Sequence, residues 1–116
     1  MSITVIDYGS GNLKSAAKAL ETAANNININ SKIVVTSDPK TIKQSDKIVL
    51  PGQGSFRDCY LSIKKIPGLN EALNEFVLEK KKPILGICVG MQLFAKTGYE
   101  SQETKGFGWI DGEVRK

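Results

Sequence analysis

The sequence contains no histidine among its 116 residues. Without that residue, the chain alone cannot complete a Ser-His-Asp triad, a Cys-His catalytic pair or a zinc site with a histidine ligand. Its two cysteines, Cys59 and Cys88, are too widely spaced for a CxxC metal knuckle and too few for a disulfide framework. We therefore expect two free thiols and no metal site.

Long apolar runs are missing too, since none approaches the roughly 20 residues of a membrane span. The N-terminus, Met1 to Asp7, lacks the basic and apolar segments of a secretory signal. The net charge of +4 comes mostly from scattered lysines, and only two residues are arginines. Nucleic-acid binders cluster their basic residues on one face. The sequence therefore predicts a cytoplasmic protein that binds neither nucleic acid nor membrane.

The length fits one domain, residues 1–116, in which apolar strands alternate with amphipathic helices. Short alternating elements of this kind favour a parallel sheet with right-handed crossovers, which is a doubly wound, mostly parallel α/β fold. Asn12 is expected to cap the first helix. The predicted strands are 3–6, 33–35, 47–50, 84–87 and 109–114, and the main predicted helices are 13–24, 56–66, 69–82 and 89–96.

The segment Gly86-Ile87-Cys88-Val89-Gly90 has the pattern G-x-C-x-G where a predicted strand meets a predicted helix. Two flanking glycines permit a tight turn that pushes the Cys88 side chain into the crevice, and the start of the helix favours a thiolate. We therefore predict that Cys88 is a nucleophile on a strand-to-helix elbow. The alternative is a buried structural cysteine between two packing glycines.

A second glycine-bearing loop, Pro51-Gly52-Gln53-Gly54, follows the neighbouring predicted strand. Attack by a thiolate creates a tetrahedral oxyanion, which requires backbone N–H donors fixed in advance. The N–H of Val89, directly after the nucleophile, is one predicted donor, and Gly52 and the Gln53 N–H are candidates for another. The alternative for this loop is a plain turn.

Three further features favour structural roles. Gly9-Ser10-Gly11 begins like a dinucleotide fingerprint, but Lys14 stands where its third glycine is required, so nucleotide binding is rejected. Cys59 lies in a predicted helix with no elbow and no nearby base, which favours a packing thiol. Trp109 is either a partner anchor or a core residue, and we interpret it as a core residue.

Three segments carry a family resemblance: Ile6-Asp7-Tyr8-Gly9-Ser10-Gly11-Asn12-Leu13, Leu50-Pro51-Gly52-Gln53-Gly54-Ser55-Phe56 and Gly86-Ile87-Cys88-Val89-Gly90-Met91-Gln92-Leu93. Together they resemble the class I glutamine amidotransferases. The third segment is typical of that family as a whole. The first two narrow the resemblance to the glutaminase subunits of imidazole glycerol phosphate synthase in histidine biosynthesis, and the segment from Gly106 to Ile110 is similar to the same subunits.

The resemblance implies a flavodoxin-like domain without a cofactor that hydrolyses glutamine to glutamate. Ammonia would pass to a (β/α)8-barrel cyclase subunit, with which the glutaminase forms a heterodimer. By the same resemblance, Cys88 is the nucleophile, Gln92 and Glu100 hold the glutamine, and Glu100 suits its α-amino group. Gly52 and Gln53 match the oxyanion strand. The residues that would face the cyclase are Tyr8, Gly9, Ser10, Gly11 and Asn12.

The missing histidine is the main departure from this family. Its members continue well past 116 residues, and their later segment supplies a general-base histidine and the glutamate that orients it. We therefore expect a C-terminally incomplete domain, inactive alone, with an unpaired apolar strand edge that is prone to association. Two alternatives remain. One is a non-catalytic flavodoxin-like binding module, and the other is a PfpI-type cysteine hydrolase, against which the segment Asp7 to Asn12 argues.

Overall fold

A four-stranded parallel sheet forms the centre of the molecule. The computed structural model describes residues 1–100 and 102–115, which include every residue predicted for the site. Strand order is β2-β1-β3-β4, and each neighbouring pair is parallel. This is the flavodoxin-like order through its first four strands. The strands are β1 (Ser2–Ile6), β2 (Lys32–Thr36), β3 (Lys47–Leu50) and β4 (Ile84–Gly86).

Helices cover both faces of this sheet. Because β2 and β3 lie on opposite sides of β1, right-handed crossovers put the first helix on one face and the following helices on the other. The predicted doubly wound, mostly parallel fold is thus confirmed. The connecting helices are α1 (Leu13–Asn26), α2 (Pro39–Gln44), α3 (Phe56–Lys65) and α4 (Leu69–Asn74), the last continued by a π-helical turn (Glu75–Glu79).

Side-chain caps fix where two of these helices begin, and with them the loops before each helix. Asn12 caps α1 as predicted, since its Oδ1 accepts a hydrogen bond from the Ser15 N–H at 3.2 Å. Ser55 caps α3 in the same way, accepting from the Asp58 N–H at 3.1 Å. Both caps satisfy backbone donors that a helix start leaves without partners.

The main core lies between the sheet and the helices α2 to α4. Alternate strand residues point to this face, and burying an aliphatic side chain of this size contributes about 1.5–3 kcal/mol. Because β1, β3 and β4 are parallel, their carboxyl ends lie at the same edge of the sheet. The loops that carry the predicted site residues begin there. Fully buried members of this cluster include Ile6, Ile42, Ile48, Leu50, Ile63, Leu73 and Phe76.

The chain after β4 differs from the prediction. The helix expected over 89–96 ends after Gln92, because the next carbonyls pair with a later segment: Leu93 accepts from the Phe107 N–H at 2.8 Å and Phe94 from the Ile110 N–H at 2.9 Å. A small second sheet results, in which β5 pairs antiparallel with β6 and parallel with β7. The elements are α5 (Val89–Gln92), β5 (Ala95–Tyr99), β6 (Glu103–Lys105) and β7 (Ile110–Val114).

Strand β4 forms one edge of the main sheet. Among the described strands it pairs only with β3, and its central residue Leu85 is 55% exposed. Met91 and Ile110 are exposed to a similar extent, at 56% and 57%. None of the helices within 1–100 and 102–115 is both long and apolar enough to cross a membrane.

Candidate active site

Cys88 occupies a strained backbone position between β4 and α5. Its φ of 55° and ψ of −122° fall where non-glycine residues rarely lie, at a cost of about 1–3 kcal/mol. The residue is exposed, whereas the second cysteine, Cys59, is 2% exposed. A nucleophile elbow has this combination of a sharp turn, strain and an accessible side chain. The alternative of a buried structural cysteine therefore fits Cys59 and not Cys88.

Close backbone packing locks the elbow onto the loop that follows β3. A Cβ on Gly90 would lie 2.0 Å from the Leu50 carbonyl oxygen, and one on Gly52 would lie 2.6 Å from the Gly90 nitrogen. Real Cβ atoms do not approach so closely, so both positions require glycine. The two glycine-bearing motifs thus meet, backbone against backbone, as the parallel topology predicts.

The exposed Cys88 thiol opens into a groove of about 540 Å³ between α1 and the elbow. Gly52 and Val89, whose N–H groups are predicted oxyanion donors, both line this groove. Neither N–H has a hydrogen-bond acceptor within the described part of the chain. Donors in this state are available to a developing negative charge. The groove is lined by Gly11, Asn12, Ser15, Ala16, Pro51, Gly52, Gln53, Gly54, Ile87, Cys88 and Val89.

Gln53, the third predicted donor, is already engaged. Its N–H donates to Ser10 Oγ at 2.9 Å, and the same hydroxyl donates back to the Gln53 carbonyl at 2.8 Å. The Cys59 thiol lies 3.4 Å from that carbonyl as well. The Gln53 N–H would have to leave Ser10 before it could stabilise an oxyanion.

Tyr8 supports the same loop from inside the molecule. The side chain is only 4% exposed, and its hydroxyl donates a hydrogen bond to the Pro51 carbonyl. Burial raises the pKa of this hydroxyl well above its ordinary value, and the nearby Cys59 thiol adds to the effect. Tyr8 therefore does not present its side chain to a partner, unlike the exposed neighbours Gly9 and Asn12.

Gln92 and Glu100, the predicted substrate-holding residues, come together in a separate, smaller cavity. The Gln92 N–H donates to the Cys88 carbonyl at 3.3 Å, which puts this residue one helical turn beyond Cys88. Glu100 is anchored at the start of α3, where its Oε2 accepts from the Phe56 N–H at 2.9 Å. The structure thus brings Cys88 together with Gly52, and Gln92 together with Glu100, in two cavities.

The roles of Ser10 and Cys59 at this loop were not predicted from the sequence. Ser10 reaches Gln53 from the loop after β1, 43 residues away in the sequence, and Cys59 reaches it from α3, six residues further along the chain. No local motif signals such a contact. Within the described residues, no group of three or more Cys, Asp or Glu side chains is placed to hold a metal ion.

A family model for class-I glutamine amidotransferases matches residues 4–108. The chain belongs to the class-I glutamine amidotransferase family. The imidazole glycerol phosphate synthase subunit HisH of Pelagibacter ubique is 53% identical over 117 residues, covering all of this chain and 54% of that protein. Subunits of the same name from Brucella suis and Bradyrhizobium diazoefficiens are 50% and 52% identical over 116 residues, with the same coverage. The chain spans about half the length of the curated relatives it matches.

Membership of the class-I amidotransferase family agrees with the geometry of the elbow. The matched region contains the G-x-C-x-G segment, the loop after β3 and the lining of both cavities except Val114 and Arg115. The resemblance noted in the sequence is therefore confirmed at the family level.

Proposed function

We propose that this chain carries the nucleophile half of a glutaminase, the subunit of an imidazole glycerol phosphate synthase that releases ammonia from glutamine. The observation that carries the proposal is Cys88, exposed at a positive φ between two glycines that admit no Cβ. Its relatives' names support the subunit assignment. Free thiols persist in a reducing compartment, so we also propose a cytoplasmic location.

In the proposed reaction, the Cys88 thiolate attacks the carboxamide carbon of glutamine and a tetrahedral oxyanion forms. The Val89 and Gly52 N–H groups, which have no acceptor within the described residues, are the proposed donors to that charge, and Gln53 is a further donor if it leaves Ser10. Collapse of the intermediate breaks the C–N bond, and the leaving nitrogen takes a proton to become ammonia. Water then hydrolyses the γ-glutamyl thioester to glutamate and regenerates the thiol.

Proton transfer in both steps needs a general base and acid, and the residues that line the Cys88 groove do not supply them. The sequence has no histidine, and neither Asp nor Glu lines the groove around Cys88. We propose that a histidine outside these 116 residues completes the site, so the chain alone should not turn over glutamine.

The cyclase subunit is the proposed partner and recipient of ammonia. Two residues of the loop after β1, Gly11 and Asn12, line the Cys88 groove, which supports a contact there. Tyr8 would serve this contact only indirectly, since its buried hydroxyl holds Pro51.

Glutamate release in a reconstituted mixture tests the proposal. The chain is combined with a cyclase subunit and glutamine, with and without a fragment covering the relatives' remaining length. Release is expected only with the fragment, and Cys88→Ser should abolish it. Lys65→Gln is the control, because Lys65 is an exposed residue of α3 that lines neither cavity; release should persist at a comparable rate.

A different outcome favours the second candidate, a non-catalytic binding module. If the complete mixture binds the cyclase but releases no glutamate above the Cys88→Ser level, the glutaminase proposal is wrong. The loops after β1 and β3 would then serve binding alone.

A further inference from the structure

A cavity of about 180 Å³ next to α5 carries a charge pattern suited to a free amino acid. Its polar lining includes one carboxylate, one guanidinium and one carboxamide, from Glu100, Arg115 and Gln92. Opposite charges in one small cavity match a zwitterion, in which an ammonium and a carboxylate share one carbon. The remaining lining residues are Phe56, Gly98, Tyr99 and Val114.

Arg115 is held in a defined orientation at this cavity. Its guanidinium lies over the Tyr99 ring, 4.5 Å from the centroid, and its Nε and Nη2 contact Glu113 Oε2 at 2.9 and 2.8 Å. The Tyr99 hydroxyl lies 3.4 Å from the other Glu113 oxygen, which ties ring and carboxylate together. These contacts, on one face and one edge of the guanidinium, already restrict the Arg115 side chain. It therefore loses less conformational entropy on binding a ligand than an unrestrained exposed arginine would.

The contacts with Glu113 do not use all of the N–H donors of Arg115. A guanidinium has five N–H groups in a planar fork, and these contacts use two of them. The fork matches carboxylate geometry, and such charge-assisted hydrogen bonds are about twice as strong as neutral ones. Glu100, on the same cavity, is the only carboxylate among its lining residues and complements an ammonium.

We propose that Arg115 is a specificity-determining residue that binds the α-carboxylate of the glutamine substrate. This inference rests on the proposed glutaminase function. Recognition of both the ammonium and the carboxylate selects free L-glutamine over a glutamine side chain within a peptide, which has neither charge at its α-carbon. Gln92 lines this cavity and lies one helical turn beyond Cys88, since its N–H donates to the Cys88 carbonyl at 3.3 Å. The substrate side chain would therefore run along α5 towards the thiol.

Calorimetric titration of the 116-residue chain tests this assignment without requiring turnover. The ligands are L-glutamine and 4-aminobutanamide, which is glutamine without its α-carboxylate. Arg115→Gln should weaken glutamine binding about 10- to 100-fold, the equivalent of losing one charge-assisted interaction. Binding of 4-aminobutanamide should not change. Arg115→Lys keeps the charge but not the fork, and should give an intermediate loss.

Arg57→Gln is the matched control, because Arg57 is an exposed arginine of α3 that lines neither cavity. It should leave both affinities unchanged. If Arg115→Gln weakens both ligands equally, or neither, the assignment of Arg115 is overturned while the glutaminase proposal stands. If the wild-type chain does not bind L-glutamine at all, substrate binding by this chain is refuted, and the role of Arg115 with it.

Discussion

At the scale of single residues, two side chains from the loop after β1 hold the backbone of the loop that faces Cys88. Tyr8 bonds to the Pro51 carbonyl, and Ser10 bonds to both backbone groups of Gln53. The elbow at Cys88 was predictable, because two glycines flanking a cysteine at a strand end are a local signal typical of such a turn. The hydrogen bonds between Ser10 and Gln53 were not predictable, since they depend on the relative positions of two loops that only the folded sheet brings together.

Tyr8→Phe should lower the free energy of unfolding by about 1 kcal/mol at pH 7, because the buried Pro51 carbonyl loses its hydrogen-bond donor. A pH dependence follows from the raised pKa of the Tyr8 hydroxyl. The folded state holds this proton more tightly than the unfolded chain, so the contribution is complete below the ordinary pKa of 10.0 and is lost as pH rises above it.

Urea unfolding followed by the fluorescence of the single tryptophan, Trp109, measures this effect at pH 7, 9 and 10.5. The stability advantage of the wild type over Tyr8→Phe should be constant up to about pH 9 and shrink above pH 10. An advantage that stayed constant across the whole range would show that Tyr8 does not keep its proton in the fold.

At the scale of elements, some helices and strands are determined by local sequence patterns and others by tertiary contacts. Strand β3 matches its predicted bounds, and α1 begins at its predicted cap, because β-branched runs and an Asn cap are local signals. The strand β5 was missed because three of the five residues in its sequence Ala-Lys-Thr-Gly-Tyr, namely Ala, Lys and Gly, are depleted in strands. Its Gly98 has no side chain, which makes room for the Phe56 ring, a contact that no local window contains.

Gly90→Ala tests the packing between α5 and β3. The new methyl would lie 2.0 Å from the Leu50 carbonyl oxygen, so either the elbow or the strand end must move. We expect a loss of about 3 kcal/mol, at the upper end of overpacking costs. Gly108→Ala is the control, since its Cβ would meet nothing within 4 Å at a φ of 73°, and it should lose only about 1–2 kcal/mol.

Thermal and urea unfolding of both variants gives the two free energies. A loss for Gly90→Ala no larger than that for Gly108→Ala would show that the elbow is not locked against the sheet. A larger loss for Gly90→Ala is the expected result.

At the scale of the whole molecule, topology places the predicted residues at one edge of the sheet. The loops after β1, β3 and β4 all follow the carboxyl ends of parallel strands, so Asn12, Gly52 and Cys88 line one groove. The sequence could not predict that Gln92 and Glu100 would line a second cavity, because that separation depends on the missed β5 and its neighbours.

The exposed apolar surface around β4 leads to the last prediction. Leu85 on this edge strand is 55% exposed, and Met91 beyond the elbow is 56% exposed. An edge strand with apolar side chains and open backbone groups is a template for pairing with another chain. The 116-residue chain should therefore associate as its concentration rises, and Leu85→Lys should reduce this by placing a charge on the edge. Leu61→Lys, at a 39% exposed position on α3, is the control and should associate like the wild type.

Sedimentation velocity across a concentration series separates these cases. A wild type that sediments as a monomer at every concentration, or equal suppression of association by both lysine substitutions, would show that the β4 edge does not drive association.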